Sequence, residues 1–340
     1  MYKRGKIIAV LLAAIVLSFP APGVTKRSKQ SQEAKGEMTG EGPAVLWRDP
    51  TDIAARNLYY GPGGEKNQPH GPYTFVKEDL DGSNPKFVVR DRDGVKWKVK
   101  LGLEARPETV ATRLVWAVGY FANEDYFIPS LRVQGMPPRL HRGQNLIAPD
   151  GSIPNVRLKR EEKDEKKIAY WRWRDDPFNG TRELNGLKIM MSLVNNWDLK
   201  DSNNAVYQAH SEQVYVVSDL GASFGSPGYS WPKRKSRGDL NSYSRSQFID
   251  KVTPEFVDFH VPTRPALLYA VALPQFISRL RLRGTCKQIP RSDAKWMGQM
   301  LGRLSPRQIR DAFRAAGYSP LEVEGYSQVV EHRIVELQSL

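Results

Sequence analysis

The chain predicts an α+β fold in two lobes, a small antiparallel β lobe carrying one helix and a larger, mainly helical lobe. Three observations carry this expectation. Between Tyr73 and Leu101, apolar and polar residues alternate in short runs separated by turn residues. A segment with helical spacing follows immediately. Beyond Phe248 the pattern is mainly helical, and it holds two Ser-Pro-x-Gln/Glu starts at Ser305 and Ser319, which have the form of a capping box with proline in the first turn.

Tyr73 to Lys77, Phe87 to Arg90 and Val95 to Leu101 are the three expected strands. Asp81 to Asn84 forms the first turn, and Asp93-Gly94 marks a hairpin. In the helix that follows, Pro107 and Glu108 suit the first turn, and Val110, Leu114, Ala117, Val118 and Phe121 recur at helical spacing. Tyr126 to Val133 reads as a further strand. From there to Asn179 the chain looks irregular, with a charged run from Lys159 to Lys167 that reads as a solvated hairpin tip. Glu183 to Asn195 is an apolar, buried helix. Gly317 stops the helix that starts at Ser305.

Lys3, Arg4 and Lys6 precede the apolar run Ile7 to Phe19, the pattern of a secretory signal peptide too short to span a bilayer comfortably. The expected organisation is therefore a signal peptide over 1–24, a flexible linker over 25–44, an N-lobe over 45–128 and a C-lobe over 129–340. No other transmembrane span is expected, and the chain is read as an exported bacterial monomer, periplasmic or secreted. Apolar residues make up 40% of it, enough for a real core, and Cys286 is the lone cysteine, so no internal disulfide holds it. The formal net charge of +14 points to anionic partners, a nucleotide or an acidic substrate among them. Basic residues are scattered and no nucleic-acid motif occurs, which argues against DNA or RNA. The five histidines lie far apart without zinc-ligand spacing.

Chemistry concentrates downstream of the apolar helix. Asp198, Lys200 and Asn203 fall in one polar stretch, and a strand from Val214 runs into Asp219-Leu220-Gly221. Transfer of a phosphoryl group needs a carboxylate to orient and deprotonate the acceptor hydroxyl, oxygen ligands for a divalent metal, and cations against the phosphates. Taken alone, Asp198 and Asn203 are also ordinary turn-capping residues. Lys96, Lys98 and Lys100 share one strand face, which by itself describes a solvated edge.

In order along the chain, these motifs resemble a protein kinase. Asp198-x-Lys200-x-x-Asn203 resembles the catalytic loop D-x-K-x-x-N, and Asp219-Leu220-Gly221 resembles the D-F-G metal turn. Val99 to Gly102 is similar to the strand bearing the ATP lysine. The seven residues from Asp219 to Gly225 are similar to the metal loop of phosphatidylinositol 3- and 4-kinases, and Glu108 to Leu114 to a helix of HipA-like atypical kinases. The resemblance covers Tyr73 to Gly225. It implies a two-lobed kinase-like fold binding ATP with Mg²⁺ or Mn²⁺. Lys100 would contact the phosphates with Glu108 fixing it, and Ser83 would lie in the turn covering them. Asp198 would be the base, Lys200 a γ-phosphate contact, and Asn203 and Asp219 the metal ligands. Asn196 stands where the family has histidine, and no G-x-G-x-x-G loop is present, so an inactive binding module on the same fold is the alternative.

Two further features compete. Gly221-x-Ser223-x-Gly225 matches the nucleophile elbow of serine hydrolases, with Asp258 and His260 as the nearest later acid and base. Lys233 to Arg237 occupies the place of an activation segment, where a basic run is either an exposed loop or a recruiter of acidic substrate.

Overall fold

A computed structural model describes residues 40–82, 84–161, 166–227, 236–262 and 284–340. The expected signal peptide, most of the expected linker, Ser83 and residues 233–235 of the basic run lie outside the described residues. In chain order the first elements are β1 (Ala44–Val45), β2 (Tyr73–Asp79), β3 (Lys86–Arg90), β4 (Lys96–Lys100) and α1 (Ala105–Ala117). Next come β5 (Asp125–Leu131), β6 (Val133–Gln134), β7 (Ile153–Arg160), β8 (Lys166–Ala169), α2 (Arg182–Leu193), β9 (Asn204–Ala209) and β10 (Glu212–Val217). The last group is α3 (Leu240–Ser244), β11 (Ile249–Val252), β12 (Phe256–Phe259), β13 (Ile289–Pro290), α4 (Arg291–Leu301), α5 (Pro306–Ala315) and α6 (Pro320–Gln338).

The α+β class holds. Six strands form the first sheet in the order β5-β7-β4-β3-β2-β6. Alternation decides which face is buried: Phe87, Val89, Trp97 and Val99 meet Leu131, Ile153, Val156 and Leu158 in a smaller core. The expected turn at Asp93-Gly94 closes β3 onto β4, with Gly94 at φ 79°, a conformation that only glycine adopts without penalty. Helix α1 packs against β5, β7 and α5, so it is buried on almost every side. Within it Arg113 pairs at 3.1 Å with Asp125 of β5, both fully buried. That pair ties the helix to the sheet.

The structure differs from these expectations in its details. The boundary at 128/129 cuts through β5, because the first sheet continues to Arg160. β7 was hidden by Pro154 and by Asn155 at φ 52°, which interrupt its alternation. β7 and β8 belong to different sheets, and residues 162–165, the centre of the charged run expected as a hairpin tip, lie outside the described residues. Among the described residues, the sequence after Phe248 adds the three-stranded sheet β11-β12-β13 to its helices. Finally, the end of the expected linker is structured: Ala44 pairs within β1 in parallel with β10 in a sheet ordered β1-β10-β9-β8, and Gln213 donates to the Gly42 carbonyl at 3.0 Å. The larger part therefore carries short strands beside its helices α2 to α6, as the α+β class expects.

That part is held by a large apolar core joining α1, α2, α4, α5 and α6. Both anticipated capping boxes form, at Ser305 with Gln308 and at Ser319 with Glu322. Arg333 of α6 is buried and donates to the carbonyls of Ser192 and Leu193 at 3.2 and 2.8 Å. A cation there satisfies the last carbonyls of α2 and opposes the negative end of its dipole. It also fixes where the chain leaves α2, immediately before the polar stretch. Among the described residues no helix is long and apolar enough to cross a membrane.

Replacing Arg333 with Met should cost about 2–3 kcal/mol in urea unfolding, as expected for charged hydrogen bonds lost inside a core. Ser319→Ala, which removes one cap, should cost only about 1 kcal/mol.

Candidate functional site

The polar stretch after α2 is built from backbone hydrogen bonds. Asn195 takes a left-handed conformation at φ 55°, which Asn tolerates better than most residues, and its side chain donates to the Gly225 carbonyl at 2.6 Å. Trp197 N–H donates to Ala222 O at 3.3 Å, and Phe224 N–H to Val194 O at 2.8 Å. These bonds tie residues 194–197 to residues 222–225. Asn196, where the kinase family has histidine, accepts from the Asp198 N–H at 3.0 Å. Asn203 donates from its amide nitrogen to the Asp198 carbonyl at 2.6 Å. Asp198 is thereby held from both sides, and its carboxylate pairs with Lys200 at 2.8 Å.

The β9–β10 hairpin then sets the second half. Asn204 is the register partner of Val217, so residues just outside the ladder stay adjacent. Asn203 O accepts from Ser218 N at 2.8 Å and from Asp219 N at 3.2 Å. The structure therefore brings Asp198, Asn203 and Asp219 into one continuous hydrogen-bonded unit.

Lys100 joins them from the first sheet. Its Nζ lies 2.8 Å from Glu108 Oε2, 3.1 Å from Asp219 Oδ1 and 3.3 Å from Glu104 Oε2. Of the three lysines on that strand face, Lys96 is exposed and Lys98 pairs with Asp79 at 2.9 Å. Lys100 alone reaches the cluster. Oxygens of Glu104, Glu108 and Asp219 lie within 4.8 Å of one another, and the Lys100 ammonium contacts all three. Burial lowers the lysine pKa, yet the Glu108, Asp219 and Glu104 carboxylates outweigh it and hold the ammonium well above its usual range. For Asp219, burial acts upward, while Lys100 and the Gly221 N–H prevail and bring its carboxyl below the ordinary value. Glu104 bears the repulsion of the cluster: burial, then the neighbouring carboxylates, push it up despite Lys100 and Arg237.

Three participants have roles here that the sequence does not assign to them. Glu104 is four residues after Lys100 and four before Glu108, a spacing that could have signalled it. Arg157 contacts Glu108 Oε1 at 2.8 Å from β7, a strand whose alternation Pro154 and Asn155 interrupt. Arg237 Nε lies 2.8 Å from Glu104 Oε1 and its guanidinium sits over the Trp197 ring at 5.5 Å. Paired backbone bonds between Ser226 and Ser236 pinch the base of that segment and turn Arg237 inward. As a recruiter of acidic substrate, Arg237 is thus already engaged. Ser83 lies outside the described residues, while its neighbour Asn84 donates to the Glu104 carboxylate. Gly221 also belongs to this arrangement, because a Cβ there would meet Glu104 Cβ and Oε2 at 2.8 Å.

The hydrolase elbow is not assembled. Ser223 is fully buried, His260 pairs with Asp250 at 2.9 Å, and Asp258 accepts the Gln288 N–H. Cys286 is buried too, which pushes its thiol up to about 11 and leaves it unreactive.

No family model and no curated protein matches this chain. Among solved structures, the chain is similar to the proinflammatory kinase CtkA of Helicobacter pylori, with a TM-score of 0.46 and 10% identity over 78% of this chain and 96% of that one. It is also similar to the Golgi casein kinase, with a TM-score of 0.33 and 11% identity over 93% of this chain and 88% of that one.

Glu108→Gln strips the shared anion from two buried cations and should cost about 3–5 kcal/mol in chemical denaturation. Asp219, whose carboxyl is depressed in the folded chain, stabilises above its unfolded value of 3.8 and loses that contribution as pH falls. The stability gap between wild type and Asp219→Asn should therefore be full at neutral pH and narrow below pH 3.8.

Proposed function

We propose that the chain is an exported, ATP-dependent, kinase-like phosphotransferase acting on an acceptor hydroxyl of a protein, sugar or lipid. The observation that carries this reading is Lys100. A strand lysine contacts a helix glutamate at 2.8 Å and the Asp219 carboxylate at 3.1 Å, and Asp219 is bonded through Asn203 to Asp198. Export is supported by the residue pattern of 1–24 alone.

The donors suit a hard divalent cation such as Mg²⁺ or Mn²⁺. Lys100 and the Gly221 N–H engage Asp219 Oδ1, whereas its Oδ2 has no partner among the described residues and the side chain is 37% exposed. Asn203 spends its amide nitrogen on Asp198, which leaves Oδ1 for the metal. When bound, the metal neutralises phosphate charge. Lys100 contacts the phosphates, with Glu108 holding it in place. Lys200, exposed beside Asp198, contacts the transferred group. Asp198 accepts the proton of the acceptor hydroxyl, and its backbone, braced by Asn196 and Asn203, keeps the carboxylate oriented.

A second reading, a non-catalytic module that binds an anionic ligand, is favoured by the charge balance around Lys100, whose ammonium already meets three carboxylates. The two part on turnover. ATP with Mg²⁺ or Mn²⁺ at about a hundred times Kd should add roughly 2.7 kcal/mol of stability, read as a rise in Tm. No shift in a folded chain overturns the nucleotide reading. With turnover present, Asp198→Ala should lower kcat by about 10²–10⁴-fold and leave the ATP-induced shift intact. A shift without turnover selects the binding module.

A further inference from the structure

Lys100 and Arg157 are direct partners across the antiparallel β4–β7 ladder, and their side chains are only 8% and 4% exposed. Like charges set opposite one another in a sheet repel, more so away from water. Glu108 resolves this by dividing its carboxylate: Oε2 lies 2.8 Å from Lys100 Nζ and Oε1 lies 2.8 Å from Arg157 Nη2. Arg157 is nonetheless poorly satisfied, since its buried Nε and Nη1 have no hydrogen-bond partner among the described residues. Two buried donors left without partners weigh against stability, so packing alone does not account for an arginine here.

Charge does. Glu104, Glu108 and Asp219 face Lys100, Arg157 and Arg237, three against three. Without Arg157 the cluster carries an excess negative charge where anionic phosphates approach. Glu108, released at Oε1, could then turn both oxygens onto Lys100 and compete with those phosphates for the ammonium.

We infer that Arg157 is a positioning residue for phosphotransfer: by occupying Oε1 of Glu108, it limits the grip of that carboxylate on Lys100 and keeps the ammonium available to the nucleotide. The inference rests on the phosphotransfer reading. Arg157 acts through Glu108 and Lys100 and does not itself touch the nucleotide.

The test is titration of the full chain with ATP and Mg²⁺, with steady-state kinetics alongside. Arg157→Gln should raise Kd and the KM for ATP by about tenfold or more, the loss expected for one charge-assisted contact, while kcat changes less. Arg157→Lys, which retains the charge, should recover most of the affinity. In a Lys100→Met background, Arg157→Gln should weaken binding no further. Should Arg157→Gln fail to fold, Arg157→Met supplies the apolar volume and carries the same comparison. Wild-type affinity in the charge-removing variant overturns the inference. So does Arg157→Lys binding no better than Arg157→Gln, or a loss that persists undiminished in the Lys100→Met background. A wild-type chain that binds no ATP removes the phosphotransfer reading itself, a result visible before any variant is made.

Discussion

The Glu108 carboxylate, held between Lys100 and Arg157, is the contact on which the rest of the site depends. Two buried cations and one buried anion can coexist only if the anion reaches both, and that requires three elements in fixed register. β4 and β7 must pair so that Lys100 lies opposite Arg157. Helix α1 must sit over that pair, and it does so because its apolar residues join the large core on one side while Arg113 and Asp125 pin it to β5 on the other. A shift of α1 by a single turn, about 5.4 Å, would take Glu108 from both cations, leaving Arg157 without its ion pair and Lys100 with Asp219. The cost of such a state, several kcal/mol per ion, makes the register steep.

The other half of the site is held differently. Its geometry comes from neutral hydrogen bonds to backbone: Asn203 O receives the Ser218 and Asp219 amides, and Asn196, Asn203 and Asn195 brace the loops with their side-chain amides. Arg333 sets the exit of α2 from behind. The two halves then meet through ions, Lys100 with Asp219 and Glu104 with Arg237. Backbone bonds give each half its internal shape, and charge joins the halves at the place where a charged ligand would have to be accommodated.

Much of this was legible because the signals are local. Period-two alternation marked β2 to β4, helical spacing marked α1 and α2, and the two Ser-Pro capping boxes appear where the residues place them. Asp198, Asn203 and Asp219 stand out through their resemblance to a kinase catalytic loop and metal turn, and the β9–β10 hairpin does bring them together. What stayed hidden was non-local or locally disguised. β7 carries Pro154 and a left-handed Asn155, which break the alternation that would have announced a strand. With β7 unread, Arg157 had no visible reason to matter. Arg237 looked like part of a solvated basic run, and only the Ser226–Ser236 pairing turns it inward. Ser223 matched a catalytic motif that burial deprives of any access.

By itself, then, the amino-acid order determined the α+β class, the early strands, the principal helices and the candidate residues, since backbone preference and side-chain periodicity act over a few neighbours. Lys96, Lys98 and Lys100 are equivalent at that level. Only the tertiary structure decided among them, because an ammonium's role is set by the carboxylates that long-range packing gathers around it: Asp79 for Lys98, open solvent for Lys96, and Glu104, Glu108 and Asp219 for Lys100.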